Sequence, residues 1–260
     1  MLPPQYRLAR EKQRGTALML MLVIMVIGIA AVLVGSLSAS ALKSARQEIT
    51  AAALAQAKEA LVGRAVQDIN HPGSLPCPDT DDDGSAELMS GNDCPSYTGR
   101  LPWRTLKLPD LRDGDGERLW YVLSANFRDG NSALTINSDT QGQLSIAGNV
   151  SLGNIAAIVF APGAPLAAQV RGTADANTLS NYLEGDNANG DNVHAAHMAS
   201  DIFNDSLLGI GADQIFQIVE KRIAREAKAC LDNYAAASGG KYPWAAPVTD
   251  TAAYSGALDT

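Results

Sequence analysis

TALMLMLVIMVIGIAAVLVGSLSASAL, residues 16–42, carries no charged side chain, and directly before it stands Lys12-Gln13-Arg14-Gly15. This junction decides the reading of the whole chain. A helix needs about 20 apolar residues to cross a ~30 Å hydrocarbon core, and the run exceeds that length. Arg7, Arg10, Lys12 and Arg14 lie on its N-terminal side, so the positive-inside rule predicts a cytoplasmic N-terminus and a chain that lies beyond the inner membrane after Leu42. A secretory signal is the competing reading, with Ser38-Ala39-Ser40-Ala41 as its cleavage site. Its apolar core would span only about 7–15 residues, so a retained single-pass anchor is the expectation.

The helical pattern continues without a breaker through LKSARQEITAAALAQAKEALVGRAVQDI, where Ile49, Leu54, Leu61 and Val66 form an apolar stripe, and His71-Pro72-Gly73 ends it. Ala, Gln, Glu and Lys dominate this stretch and favour helix. Loop-rich sequence follows to about Arg118. Strand signals then appear at Leu119–Leu123, Ala133–Ile136, Gln143–Ile146 and Ile155–Phe160, separated by Asp-Gly, Asn and Gln-Gly turns, a pattern that predicts a small antiparallel sheet. Leu183–Asn192 is rich in Asp, Asn and Gly, and a late amphipathic helix is expected over about Asp213–Ala237. The stop Ser238-Gly239-Gly240-Lys241-Tyr242-Pro243 echoes Gly73-Ser74-Leu75-Pro76, a hint of a second, shorter unit.

Arg14-Gly15 followed by Thr16-Ala17-Leu18 resembles the N-terminus of type IV pilins and type II secretion pseudopilins. The segments PGSLPCPD, GRLPWRTL and DGDGERLWY are similar to those of large pseudopilin-like proteins of Gram-negative bacteria, so the likeness covers roughly residues 10–128. It implies cleavage by prepilin peptidase after Gly15, methylation of the new amino terminus at Thr16, and an apolar helix that stays. The chain departs from the pattern in two places. Thr16 stands where Phe is usual, and Leu20 stands where the family places Glu. A carboxylate in lipid costs roughly 2.5–3.5 kcal/mol and persists where it gains a partner, taken in this family to be a neighbouring subunit's amino terminus. With Leu20 the subunit can offer its amine but no carboxylate, which suits a filament tip or a priming complex. Gly28, Ala30, Ala31 and Gly35 permit close approach of other helices.

The expected fold is therefore α+β and pilin-like: a long transmembrane-plus-stalk helix on a small antiparallel sheet, irregular loops and a late helix. The expected divisions are a leader (1–15), an anchor (16–42), a helical stalk (43–70), a periplasmic head (71–205) and a C-terminal helix and tail (206–260). The expected function is a minor pilin or pseudopilin, a non-enzymatic structural subunit whose partners are other pilin subunits, prepilin peptidase and the inner membrane. A single-pass membrane-tethered binding or enzymatic domain is the rival.

Hydrophobic residues make up 46% of the chain and charged residues 18%, a globular balance that supports a buried core. The net charge of −8 becomes −11 without residues 1–15, which hold four basic and one acidic side chain. Such a surface disfavours nucleic acid as a partner and favours solubility and divalent cations.

Cys77 and Cys94 flank an Asp/Gly/Ser-rich loop. Outside the inner membrane a disulfide between them is plausible, two free thiols being the alternative. Cys230 falls on one helical face with Ile215, Val219, Ile223 and Ala227, the pattern of a small core residue. Asp79, Asp81, Asp83 and Gly84 match the opening of a calcium loop, but Ser90 occupies the position of the closing Glu. Glu87 is then the candidate fourth ligand for calcium, against the alternative of a solvated acidic turn. Asp113, Asp115 and Glu117 read as a capped turn, and Asp186, Asn187, Asn189 and Asp191 as a weaker cluster. His194 and His197 could share a helical turn, though surface histidines are expected. The sequence holds neither a G-x-S-x-G elbow nor a phosphate-binding P-loop.

Overall fold

The structure is a computed structural model that describes residues 13–130, 136–172 and 176–243, with the side chains of residues 13–17 and 30–39 of its first helix outside the description. That helix, α1, spans Gln13–Gln67. Six strands follow: β1 (Thr98–Arg100), β2 (Trp120–Leu123), β3 (Leu144–Gly148), β4 (Leu152–Ala161), β5 (Val193–Ala196) and β6 (Ser206–Gly211). The second helix, α2, spans Ala212–Ala237.

The sheet is organised around β4, the longest strand. Its C-terminal half pairs antiparallel with β2, from Leu123↔Ala157 to Trp120↔Phe160, and its N-terminal half pairs with β3. The strand after residue 206, β6, runs antiparallel along β4 from Ile155↔Gly211 to Ala161↔Ser206. β1 extends the sheet beyond β2, and β5 lies parallel to β3. This parallel pair overturns the expectation of a small antiparallel sheet. The sheet has six strands and is mixed, because the chain leaves β4 for a long excursion and returns through β5 in the same direction as β3. A parallel pair requires a long connection of this kind.

Both faces of β4 are covered, which accounts for its unbroken apolar run from Ile155 to Ala161. Ala157, Val159 and Ala161 pack with Ala53, Leu54, Ala57, Leu61 and Ala65 of α1 and with Ile215, Phe216 and Val219 of α2. Ile155, Ile158 and Phe160 join Trp120, Val122, Tyr182 and Leu183 in a second cluster. The α1 face follows the three-and-four spacing of a helix, and alanines let its backbone approach the sheet closely. The expected stripe was larger in side chain. Of its members Leu54 and Leu61 are buried, Ile49 is exposed and Val66 lies in between.

Two contacts fix α1 on the head. Thr50 Oγ1 accepts the backbone N–H of Gly114, and a Cβ at Gly114 would fall 2.2 Å from the Arg46 carbonyl oxygen. The helix and the turn therefore touch backbone to backbone, which only glycine allows. At the other end Arg222 of α2 donates to the carbonyls of Val66 and Asp68, a cation placed on the negative end of α1.

The anchor expectation is corrected as well. Among the described residues no helix is long and apolar enough to cross a membrane. Of the expected strand at Ala133–Ile136, residues 133–135 lie outside the described residues, and Ile136 packs against the first core cluster.

Candidate functional site

The sequence points to three places: the N-terminal half of α1, the loop stapled by cysteines, and the excursion between β4 and β6. In the first, every described side chain from Leu18 to Ile29 is exposed. Leu18, Met19, Leu20, Met21 and Met25 are each about two-thirds exposed or more, at 70%, 75%, 66%, 77% and 68%. The contrast with the same helix forty residues on, where Ala57, Leu61 and Ala65 are fully buried, is the main asymmetry of the molecule. Gly15 and Thr16 lie in the first turns of α1, and their side-chain surroundings fall outside the described residues.

Cys77 and Cys94 form a disulfide with Cα atoms 5.5 Å apart, and the loop that it closes holds the acidic residues. Asp79 is its organiser. Buried to 1% exposure, it accepts the N–H of Asp82 on Oδ1 and that of Gly84 on Oδ2. Burial pushes its carboxyl above the usual range, the two N–H donors oppose that shift, and neighbouring Asp81 adds to it. Gly84 has φ +87°, and a Cβ there would meet the Trp103 ring at 2.5 Å. Glu87 closes the loop by accepting the N–H and hydroxyl of Thr80.

One carboxylate oxygen from each of Asp79, Asp81 and Glu87 comes within 4.8 Å of the others. These hard oxygens suit calcium, which takes six to eight of them. Asp83 stays apart. Its Oδ1 accepts the Ser85 N–H at 2.6 Å, and that bond holds its carboxyl below the usual range. The structure thus gathers three of the four expected ligands.

Beneath this loop lies a cationic layer that no sequence motif announces. Arg100, 5% exposed, is stacked between Trp120 and Tyr182 at 4.2 and 4.1 Å from their ring centres. Arg118 reaches the Asp82 carboxylate at 2.8 Å and Asp110 at 3.0 Å. The acidic loop is therefore backed by guanidinium groups, which hold it in place and lower its net charge.

The second acidic cluster is the capped turn expected. Asp113 Oδ1 accepts the N–H groups of Asp115 and Glu117, and its Oδ2 accepts that of Gly163. Asp115 pairs with Arg46 at 2.9 Å and Glu117 with Arg171 at 3.3 Å.

The third cluster hides a pair of carboxylates that sequence reasoning missed. Glu184 Oε2 accepts the N–H groups of Asn204 and Asp205, while Asp205 Oδ2 accepts the Glu184 N–H and the Asn187 amide. Asp205 is buried, its Oδ1 has no partner, and burial beside Glu184 raises its carboxyl to about 8.

Two expectations about single residues are corrected. His194 is buried at 1% exposure, edge-on to Phe160, and burial lowers its pKa. It sits on β5, where residues three apart face opposite sides, so His197 stands apart from it, exposed and against Phe203. Cys230 is a free, exposed thiol. The buried residues of α2 are those of its first turns and Ala235, whereas Ile223, Cys230 and Leu231 further along the helix are exposed.

No protein-family model, curated protein or solved structure matches this chain.

Proposed function

We propose that the protein is a minor pilin- or pseudopilin-type subunit, placed in a type IV pilus or a type II secretion pseudopilus by the N-terminal half of α1. The observation that carries the reading is the bare apolar surface of Leu18–Ile29 on a helix whose far end is sunk in the head. Water does not tolerate so much contiguous apolar surface on an isolated protein, so lipid or other helices cover it. The basic leader and Gly15 before it support helices of other subunits as that cover. In this reading the N-terminus is cytoplasmic, the head is periplasmic, and prepilin peptidase processes the chain after Gly15. The disulfide fits an oxidising compartment.

Leu20 refines the position. It is 66% exposed and apolar, so it packs against neighbours but accepts neither charge nor hydrogen bond from an amino terminus. The subunit then belongs at an end or in the priming complex. Quantitative mass spectrometry of sheared filaments should find it far below the major subunit, and Leu20→Glu should raise its share or disturb initiation. Equal stoichiometry with wild-type Leu20 would remove the positional argument. Absence from every filament and secretion fraction would favour the tethered-domain rival.

A further inference from the structure

Among the described residues β6 pairs with β4 and with no other strand, so its far side is an edge of the sheet. Backbone groups alternate in direction along a strand. The Ser124 N–H is bonded to the Ala156 carbonyl, which sets Ala156, Ile158 and Phe160 toward β2 and Val159 toward β6. Leu208, opposite Val159, therefore faces β4, while Leu207 and Gly209 turn their N–H and C=O outward. The ends of this outward row are closed within the chain. Glu184 Oε2 accepts the Asp205 N–H at 3.1 Å, and Gln214 Oε1 accepts the Gly211 N–H at 3.4 Å. Its middle stays open. The N–H and C=O of Leu207 and the N–H of Gly209 have no partner among the described residues. The Gly209 carbonyl is met by Lys58 Nζ at 3.2 Å.

Beside this edge lies a groove of about 560 Å³ between α1 and the start of α2, walled by Val62, Val66, Leu208 and Ile218, with Lys58 also in its lining. Ile218 is 44% exposed there. Leu208 packs toward the cluster that holds α1, and Leu207 toward the opposite cluster. Sheet edges are ordinarily blunted by charges, proline or bulges, and the middle of this one is guarded by a single lysine on a single carbonyl. Burial lowers the pKa of Lys58, and no carboxylate beside it opposes that shift.

We propose that the outer edge of β6 accepts an added strand from a partner protein: an extended segment with an apolar residue for the groove and an Asp or Glu for Lys58. The outward groups of residues 207 and 209 recur about 7 Å apart, the repeat of every second residue in a strand. Donors and acceptors alternating at that spacing are matched by another backbone. An N–H of the segment replaces Lys58 Nζ on the Gly209 carbonyl, and the released ammonium takes the segment's carboxylate. The residue opposite Leu208 projects from the same face of the sheet and enters the groove. Backbone bonds then supply affinity, while the groove and Lys58 supply selectivity. The inference does not depend on what covers Leu18–Ile29, so it stands or falls apart from the filament reading.

The probe is a displayed library of short random peptides, selected on the full chain held in detergent micelles. Enriched peptides should alternate apolar and polar residues and carry an Asp or Glu. Adding the best of them should slow hydrogen exchange at the Leu207 and Gly209 amides. Leu207→Pro removes an outward N–H and no bond to β4, so the head should keep its melting temperature. Affinity, read by fluorescence anisotropy, should fall on the order of tenfold with that bond. Lys58→Glu should weaken the acidic peptide, and the same peptide with Lys at the acidic position should recover binding. A library that enriches no peptide, or an affinity unchanged in folded Leu207→Pro, would overturn the proposal. If Leu207→Pro unfolds the head, the charge swap decides alone, and failure of the basic peptide to recover binding would overturn it. Dimers of the chain that dissociate on peptide addition would overturn it in favour of a second copy's β6 as the occupant.

Discussion

Replacing Asp205 with Asn should flatten the pH dependence of the head's stability. Asp205 is 6% exposed, stands beside Glu184, and holds its proton up to about 8 in the folded protein. In the unfolded chain the same carboxyl releases that proton near the ordinary value of about 4. Between these limits the folded state binds one proton more than the unfolded state, so stability falls as pH rises, by up to about 1.4 kcal/mol per unit. The contribution is fully present below pH ~4 and gone above about 8. An asparagine places a neutral amide where the protonated carboxyl stands: its oxygen can still accept from the Glu184 N–H and the Asn187 amide, and its NH₂ takes the place of Oδ1. Asp205→Asn should then match wild type at pH ~4 and exceed it by roughly 2–4 kcal/mol at pH ~8, a range below the full linkage because Glu184 relaxes. Buried His194 works in the opposite direction, since its lowered pKa makes stability rise with pH, but it is common to both proteins and cancels in the difference. Urea unfolding followed by tryptophan fluorescence at several pH values reads this difference directly. Parallel profiles for the two proteins would show that Asp205 is ionised in the folded state and that the reasoning fails.

Further outcomes follow from the stapled loop. Converting Cys77 and Cys94 together to Ala should lower stability by about 3 kcal/mol in the chain-entropy model for a loop of this length, and peptide mapping without reductant should recover the two as one linked species. If Asp79, Asp81 and Glu87 hold calcium, millimolar calcium should raise the melting temperature over chelator by mass action. Asp79→Asn with Glu87→Gln should abolish that rise while Asp83→Asn leaves it, and identical melting curves for wild type in both conditions would return the cluster to a solvated turn.

How far the sequence could be read follows from which forces are local. Helical periodicity located α2 to within a residue, Asp213–Ala237 against Ala212–Ala237, because its first turns really do bury one face. The same periodicity misled at Cys230: it reports an apolar face, not whether anything lies against it. Strands β2 and β4 announced themselves through β-branched and aromatic residues, and β3 through Leu144 and Ile146 after the Gln141-Gly142 turn. β1 (Thr-Gly-Arg), β5 (Val-His-Ala-Ala) and β6, with its two glycines, did not, since their strand character comes from the neighbours with which they pair. The parallel β3–β5 pair was invisible for the same reason. Three of four proposed ligands met because Asp79, Asp81 and Glu87 share a tight loop, whereas Asp83 turned to its own local N–H donor at Ser85. The Glu184–Asp205 pair joins residues twenty-one apart through a turn that composition alone does not describe.

The central claim, a filament subunit carried by the bare half of α1, is tested most directly at the chain's own N-terminus. N-terminal sequencing and intact-mass measurement of the protein extracted from membranes should find the chain starting at Thr16 with a methylated amine. A chain that keeps Met1, or one that begins after Ala41, would contradict the account.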